Sequence, residues 1–349
     1  MTEEMTVQRF ALVGAGFIGN VHAANLAAHP DVAFELVYDI DPARAASMAA
    51  QYGARPATDL AEVFDPERID AVLIASSTDT HAEHLRRAAD AGIAAFVEKP
   101  IDLDLGAARE TVAYVRASGI PAMVDFNRRF DRDHAELRRS VQAGEVGPVE
   151  LVQLTSRGPA SPPLEYVRVS GGQMRDQTVH FFDLARWICG EDPVEVYVAG
   201  SALADPRITD YGDVDTSVAT LRLPGGGLIQ IDSVRRTGYG YDERIEVMGA
   251  TGLVESRRHT AGNVVRYGAT ATAADGLHAG WFERVRPTYA AALDAFVRAL
   301  RDGSEPPVTL EDGLRAQAIA EAAASSLGSG QPERVEYRVL TDDERKIRV

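Results

Sequence analysis

A chain of 349 residues exceeds the usual size of one hydrophobic core, and its 45% apolar and 25% charged residues are ordinary globular values, so two domains are expected. A formal net charge of -16, with no basic stripe interleaved with aromatics, speaks against nucleic acid as a partner. The single cysteine, Cys189, rules out an intrachain disulfide and a thiolate metal cluster, and no run of about 18 apolar residues reads as a membrane span, so a cytoplasmic location is expected.

From Arg9 to Met123, short apolar runs alternate with Ala-rich amphipathic stretches, the pattern of repeated βα units around a parallel sheet. The spacing predicts strands over 10–13, 34–38, 71–75, 94–97 and 121–124, and helices over 17–28, 42–51, 80–91 and 105–118. After Asp125 the texture changes. A helix over 131–143 and an extended run over 149–156 precede Pro, Gly and Ser-rich loops from Gly158 to Gly172, and a helix over 174–189 follows. Strands over 194–199, 216–223, 228–233 and 244–248 then arrive without crossover helices, which argues for a mostly antiparallel sheet. Helices over 281–301 and 310–326 close this second domain. The expected organisation is α/β: a doubly wound nucleotide-binding domain over 1–124, an α+β domain over 125–335, and a charged tail over 336–349.

Phe10-Ala11-Leu12-Val13 runs directly into Gly14-Ala15-Gly16-Phe17-Ile18-Gly19, and an amphipathic helix follows at once. In that context the first glycine makes the tight turn, the second lets backbone approach a pyrophosphate, and the third lets helix and strand pack closely. The helix N-terminus then faces the phosphates. Asp39 closes the second strand about 20 residues beyond Gly19, where a carboxylate accepts from ribose hydroxyls and repels a 2′-phosphate, favouring NAD over NADP. Asp41 is better placed than Asp39 to cap the next helix. Ser76-Ser77-Thr78-Asp79-Thr80-His81 ends a later strand on the same carboxyl edge. There Thr78 and His81 are candidates to touch the cofactor, with Thr80 or Asp79 as a plain helix cap the alternative.

Phe96-Val97-Glu98-Lys99-Pro100 ends the next strand on that edge. A lysine there can donate to a substrate oxygen and stabilise the charge that develops as a hydroxyl loses its proton, and Pro100 could support a cis bond that aims it. Gly171-Gly172 opens the segment through Asp183, and positions 176, 180 and 183, spaced i, i+4 and i+7, put Asp176, His180 and Asp183 on one helix face. Imidazole suits proton removal from a secondary alcohol near neutral pH, so His180 is the expected base, Asp176 its partner and Asp183 a binder of a neighbouring hydroxyl. A third convincing metal ligand is lacking nearby, and no metal is expected. Arg128, Arg129 and Arg132 sit among acids, as in a solvated helix start, with Arg128 the exception that could bind substrate.

These motifs, in this order and over nearly the whole length, resemble the family of glucose-fructose oxidoreductase, inositol dehydrogenase and rhizopine catabolism proteins. They are the glycine loop, Glu98-Lys99-Pro100, and Gly171-Gly172 with Asp176 and His180. Within it, Ser76 to His81, Phe126-Asn127-Arg128-Arg129-Phe130-Asp131, Arg175-Asp176 and Tyr239-Gly240-Tyr241-Asp242 are similar to the inositol dehydrogenase branch. The resemblance implies a Rossmann domain, a second domain with a large open sheet that mediates dimers or tetramers, and NAD-dependent oxidation of a cyclic polyol. It implies Lys99, Asp176 and His180 as the catalytic group, and Arg128, Asp183 and Tyr239 as hydroxyl-binding positions. Candidate cofactor positions are Gly14, Gly16, Phe17, Ile18, Gly19, Asp39, Ser76, Thr78, His81, Glu98 and Lys99. The chain departs from the branch at Phe181 and Gly158, where a carboxylate is usual, and at Gln173-Met174. Alternatives are a dehydrogenase of another sugar or polyol, a non-catalytic NAD-binding regulator, and an NAD-assisted glycosidase.

Overall fold

A computed structural model describes residues 7–337; the expected tail, from 338 on, lies outside the described residues. The first unit carries a parallel sheet of β1 (Gln8–Val13), β2 (Val32–Tyr38), β3 (Arg55–Pro56), β4 (Ala71–Ile74), β5 (Ala94–Val97) and β6 (Ala122–Val124), in the order β3-β2-β1-β4-β5-β6. β4 and β5 are buried at every residue, as strands covered on both faces must be. The connecting helices are α1 (Phe17–Ala28), α2 (Pro42–Tyr52), α3 (His81–Ala91) and α4 (Leu105–Ser118). The order reverses between β1 and β4, and such a switch point opens a crevice at the carboxyl ends of the strands. β3 escapes a pattern search because two residues carry no period; it exists through its pairing with Leu36 and Val37.

The second unit is built on a seven-stranded sheet of β7 (Val149–Arg157), β8 (Glu195–Ser201), β9 (Thr216–Arg222), β10 (Leu228–Val234), β11 (Asp242–Gly249), β12 (Gly252–Ser256) and β15 (Glu333–Arg334). Their order is β12-β11-β7-β10-β9-β8-β15. β7 and β10 pair in parallel and the other neighbours antiparallel, so the sheet is mixed but mostly antiparallel. The parallel pair is possible because the chain between those strands is long and includes helices α6 (Leu164–Val169) and α7 (Val179–Cys189). α6 lies in the segment expected to be loop. Helix α5 (Arg132–Gln142) precedes β7, and β13 (Val265–Tyr267) with β14 (Thr272–Ala274) forms a separate exposed hairpin.

The unit boundaries differ from the expected 124/125 division. Among the described residues, unit one comprises 7–130 and Pro287–Leu314, and unit two Asp131–Arg286 and 315–337. The chain therefore changes unit within α8 (Trp281–Asp302) and again within α9 (Leu310–Ser329), helices expected to belong to the second domain alone. The cause is side-chain packing. Phe296 of α8 sets its ring centroid 6.3 Å from that of Phe10 and 5.4 Å from that of Phe96, completing the core over β1 and β5. No helix among the described residues is long and apolar enough to cross a membrane.

Candidate active site

In the first unit, three glycines after β1 do three different things. Gly14 has φ +102°, and a Cβ on it would lie 2.4 Å from the Ala75 carbonyl oxygen, so only glycine lets the chain turn over the end of β4. A Cβ on Gly19 would fall 2.0 Å from the Gly14 carbonyl oxygen, which sets how closely α1 approaches the strand. A Cβ on Gly16 would meet nothing within 4 Å; the backbone there is open, and Gly16 caps α1 with no side-chain hydrogen bond to its amides. The helix therefore offers its N-terminal amides and dipole, a fit for a pyrophosphate. Phe17 and Ile18 begin that helix, Phe17 largely exposed.

Asp39, just beyond β2, accepts from the Ala15 amide (2.6 Å) and the Asp41 amide (2.8 Å), while Asp41 caps α2 by accepting from Ala43. Each Asp39 oxygen has taken one amide, and an ionised carboxylate offers about four acceptor positions, so capacity for ribose hydroxyls remains. Beyond β4, Ser76 and Thr80 share a hydroxyl hydrogen bond of 2.7 Å and Thr80 also donates to the Ser77 carbonyl, so neither Thr80 nor Asp79 caps α3 by its side chain. His81 requires a correction. Its ring is buried, with Nδ1 2.8 Å from the Pro100 carbonyl oxygen and Nε2 3.1 Å from that of Ser76. Both nitrogens are engaged with main chain, so it ties two strand-end loops together instead of facing a cofactor. The Lys99-Pro100 bond it supports is cis.

Glu98 also faces inward, donating nothing and accepting: its Oε1 lies 2.9 Å from His22 Nε2, and Asp125 Oδ2 lies 3.6 Å from the same nitrogen. This trio, in which His22 and Asp125 are buried, is the main feature of the first unit that the sequence pattern did not single out; a lone histidine on the buried face of an Ala-rich helix was its only signal. Burial and the neighbouring charge of Glu98 hold the Asp125 carboxyl well above the usual carboxylate range, against the pull of Arg128 and Lys99. Burial works the same way on Glu98, but the His22 hydrogen bond and charge, with Lys99 and His81, outweigh it and hold Glu98 low. Of the two carboxyls, Asp125 therefore holds its proton to the higher pH. Between the ordinary carboxylate range near 4 and Asp125's raised value, the unfolded chain has released a proton that the folded chain keeps, so stability falls as pH rises through that window. Glu98 acts in the opposite sense, below the ordinary range. Asp125→Asn keeps the shape without titrating and is expected to flatten that decline and add roughly 1–2 kcal/mol at neutral pH, read from denaturant midpoints across pH. An unchanged slope would mean Asp125 is ionised in the fold. Nearby, Arg128 and Arg129 are both buried, contrary to a solvated helix start: Arg128 donates to Asn127 Oδ1 (3.1 Å) and Arg129 pairs with Asp312 (3.1 Å).

In the second unit, Gly171 and Gly172 adopt φ of +78° and +88°, a left-handed turn that suits glycine, and Gly172 packs against Asp213. The helix that follows is not regular. Met174–Thr178 forms a π turn before α7 begins at Val179, so Asp176 sits in the π turn and His180 in the first α turn. π turns interrupt α-helices mostly at functional sites. This turn is pinned to two strand ends: Gln177 donates to the Ser156 and Val234 carbonyls, and Thr178 to Ser233 Oγ. Asp176 and His180 are half-buried, and Asp183 is fully buried. The π turn changes the angular step between Asp176 and His180, while His180 and Asp183 lie together in α7. Asp176 accepts from the Tyr166 hydroxyl (2.8 Å) and lies 3.5 Å from Arg235. Tyr239, 48% exposed, donates to Asp242 Oδ2 (2.9 Å) and accepts from Arg157 (3.1 Å). At Gly158, where a carboxylate is usual, a Cβ would be a tight fit, 3.0 Å from the Arg235 carbonyl oxygen.

Residues 8–126 match a model of an oxidoreductase family with an NAD-binding Rossmann fold, and residues 134–255 match the GFO/IDH/MocA C-terminal domain. The chain is 39% identical, over 93% of its length and 97% of the relative's, to an inositol 2-dehydrogenase of Rhizobium meliloti. It is 38% identical, over 91% of its length and 96% of the relative's, to a myo-inositol 2-dehydrogenase of Thermotoga maritima. Among solved structures, a probable dehydrogenase from Thermotoga maritima superposes with a TM-score of 0.92 at 36% identity, covering 95% of this chain and all of the other.

Proposed function

The chain belongs to the GFO/IDH/MocA oxidoreductase family and is an NAD-dependent dehydrogenase, and from that premise we propose that it oxidises a secondary hydroxyl of an inositol to the ketone. The observation that carries the reading is the presence of Lys99, Asp176 and His180 in a chain that matches inositol 2-dehydrogenases almost end to end. Bound NAD supplies the acceptor for the hydride that leaves the carbinol carbon. His180 takes the hydroxyl proton as the C–H bond breaks, so the substrate loses one hydride and one proton and becomes a ketone. Lys99 donates to the reacting oxygen and stabilises the charge that builds on it. Asp176 accepts from a substrate hydroxyl and orients it. NAD with a panel of inositols and aldoses should give NADH absorbance; silence across the panel would remove the polyol reading.

Asp39 is the determinant of cofactor choice in this reading. Asp39→Ala removes the acceptor for the ribose hydroxyls and for the Ala15 amide, and is expected to lower kcat/KM with NAD by about 10- to 100-fold while NADP improves relative to it. An unaltered ratio of the two cofactors would assign Asp39 to the loop alone.

The protein acts as a homo-oligomer through the open face of the second unit's sheet. Paired neighbours Leu253, Met248, Leu151 and Leu228 form a continuous apolar row across β12, β11, β7 and β10, with Leu253 50% and Leu228 38% exposed. A row of this kind on an otherwise polar face marks a protein contact, and a second copy offers the same row. Leu228→Glu with Leu253→Glu is expected to shift the species seen by light scattering to a smaller one; an unchanged mass would place the interface elsewhere.

A further inference from the structure

Arg235 stands immediately after β10 and is 3% exposed, a position where a guanidinium is costly unless it is paired. It has two carboxylate neighbours. One Nη lies 3.0 Å from Asp213 Oδ2, and the other 3.5 Å from Asp176 Oδ2. Asp213 is itself fixed, since its Oδ1 accepts from the Gln173 amide at 2.8 Å, the first residue of the segment that carries Asp176. The main chain of Arg235 is equally constrained: its amide donates to the Asp215 carbonyl (2.8 Å), and Gly158 donates to the carbonyl of the preceding Val234 (2.7 Å). On its other oxygen Asp176 receives the Tyr166 hydroxyl.

We propose that Arg235, with the Tyr166 hydroxyl, is a positioning residue that holds the Asp176 carboxylate in the orientation from which it accepts a substrate hydroxyl. The inference rests on the reading of Asp176 as a substrate-facing residue. One guanidinium shared between two carboxylates leaves a net negative charge in the group, so Asp176 is oriented without being neutralised and stays a strong acceptor. Asp213 alone would suffice to balance a buried arginine. The reach of the second Nη toward Asp176, and the convergence of Tyr166 on the opposite oxygen, are what a purely structural staple does not need. The π turn gives the arrangement its purpose, because a carboxylate on a widened turn lacks the rotamer restraint that a regular helix imposes.

The test is a double-mutant cycle on the full-length protein with NAD and the inositol that turns over best, reading kcat, KM and the affinity of the NADH-loaded protein for that inositol by calorimetry. Asp176→Asn, Arg235→Gln, and the two together are compared, with melting curves to verify folding. Arg235→Gln is expected to weaken kcat/KM and inositol affinity by about 10-fold or more, a charge-assisted contact's worth, and to have no further effect once Asp176→Asn is present. Arg235→Lys, which keeps charge but cannot bridge two carboxylates, is expected to recover only part of the loss. Should Arg235→Gln fail to fold, Tyr166→Phe removes one hydroxyl from a ring that is 46% exposed and is expected to lose about 3- to 10-fold, again only while Asp176 is intact. If Asp176→Asn is crippled but the second substitution slows it by the same factor as it slows the unaltered protein, or has no effect on either, the inference falls and the reading of Asp176 stands. If Asp176→Asn turns over normally, that reading falls and takes the inference with it.

Discussion

His180→Ala should lower kcat by between about 100- and 10,000-fold, a barrier increase of roughly 2.7–5.5 kcal/mol, while NAD affinity stays unchanged. A secondary alcohol does not shed its proton at neutral pH unaided, and in this reading the hydride cannot leave until something accepts that proton. His180 lies in the first turn of α7, half-buried, and alanine is the best residue for a helix interior, so the substitution removes the imidazole without disturbing the helix. Added imidazole should restore part of the rate, which a merely structural histidine would not allow. Turnover within a few fold of the unaltered protein would take His180 out of the chemistry and leave Asp176, or a water, as the base.

Lys99→Met should cost about 100- to 1000-fold in kcat/KM, the usual loss when one donor to a developing oxyanion is removed. Methionine keeps the length and packing of the lysine stem but donates nothing. Lys99 extends from the carboxyl end of β5, between the half-buried Glu98, which meets His22, and Pro100, whose carbonyl is held by His81. Lys99→Arg is expected to recover little, because a planar fork does not reproduce an ammonium placed at one point. If Lys99→Met lowers NAD affinity and leaves kcat intact, the lysine serves the cofactor and not the substrate oxygen.

The two proposed catalytic contributions come from segments whose chemistry is readable for different reasons. The glycine loop and Asp39 are short-range signals: a strand, a turn that only glycine can make, and a carboxylate one βα unit later. Lys99 is readable because it ends a wholly apolar run, and in a parallel sheet the end of such a run is the ligand edge. Asp176 and His180 are readable as residue types that do not belong in a helix packed by Phe181, Phe182 and Leu184. Their geometry is not. Heptad-like spacing assumes a regular helix, and the π turn at Met174–Thr178 breaks that assumption between Asp176 and His180.

By itself, the sequence determined the order of the longer helices and strands, the parallel and mostly antiparallel halves, the nucleotide turn and the residue types at the ends of β5 and at the start of α7, because each is set by local period, local steric freedom or local chemistry. Tertiary structure alone decided the contents that depend on residues far apart in the chain. It returned part of α8 to the first core through Phe296, turned His81 from a cofactor candidate into a clamp between Ser76 and Pro100, and brought Glu98 and Asp125 together around His22. It also brought Arg235 and Tyr166 onto Asp176. The physical reason is the same each time: burial raises the energetic stakes of a charge or a polar ring, and the partner that satisfies it is chosen by which strand ends meet, a matter of topology that no stretch of neighbouring residues encodes.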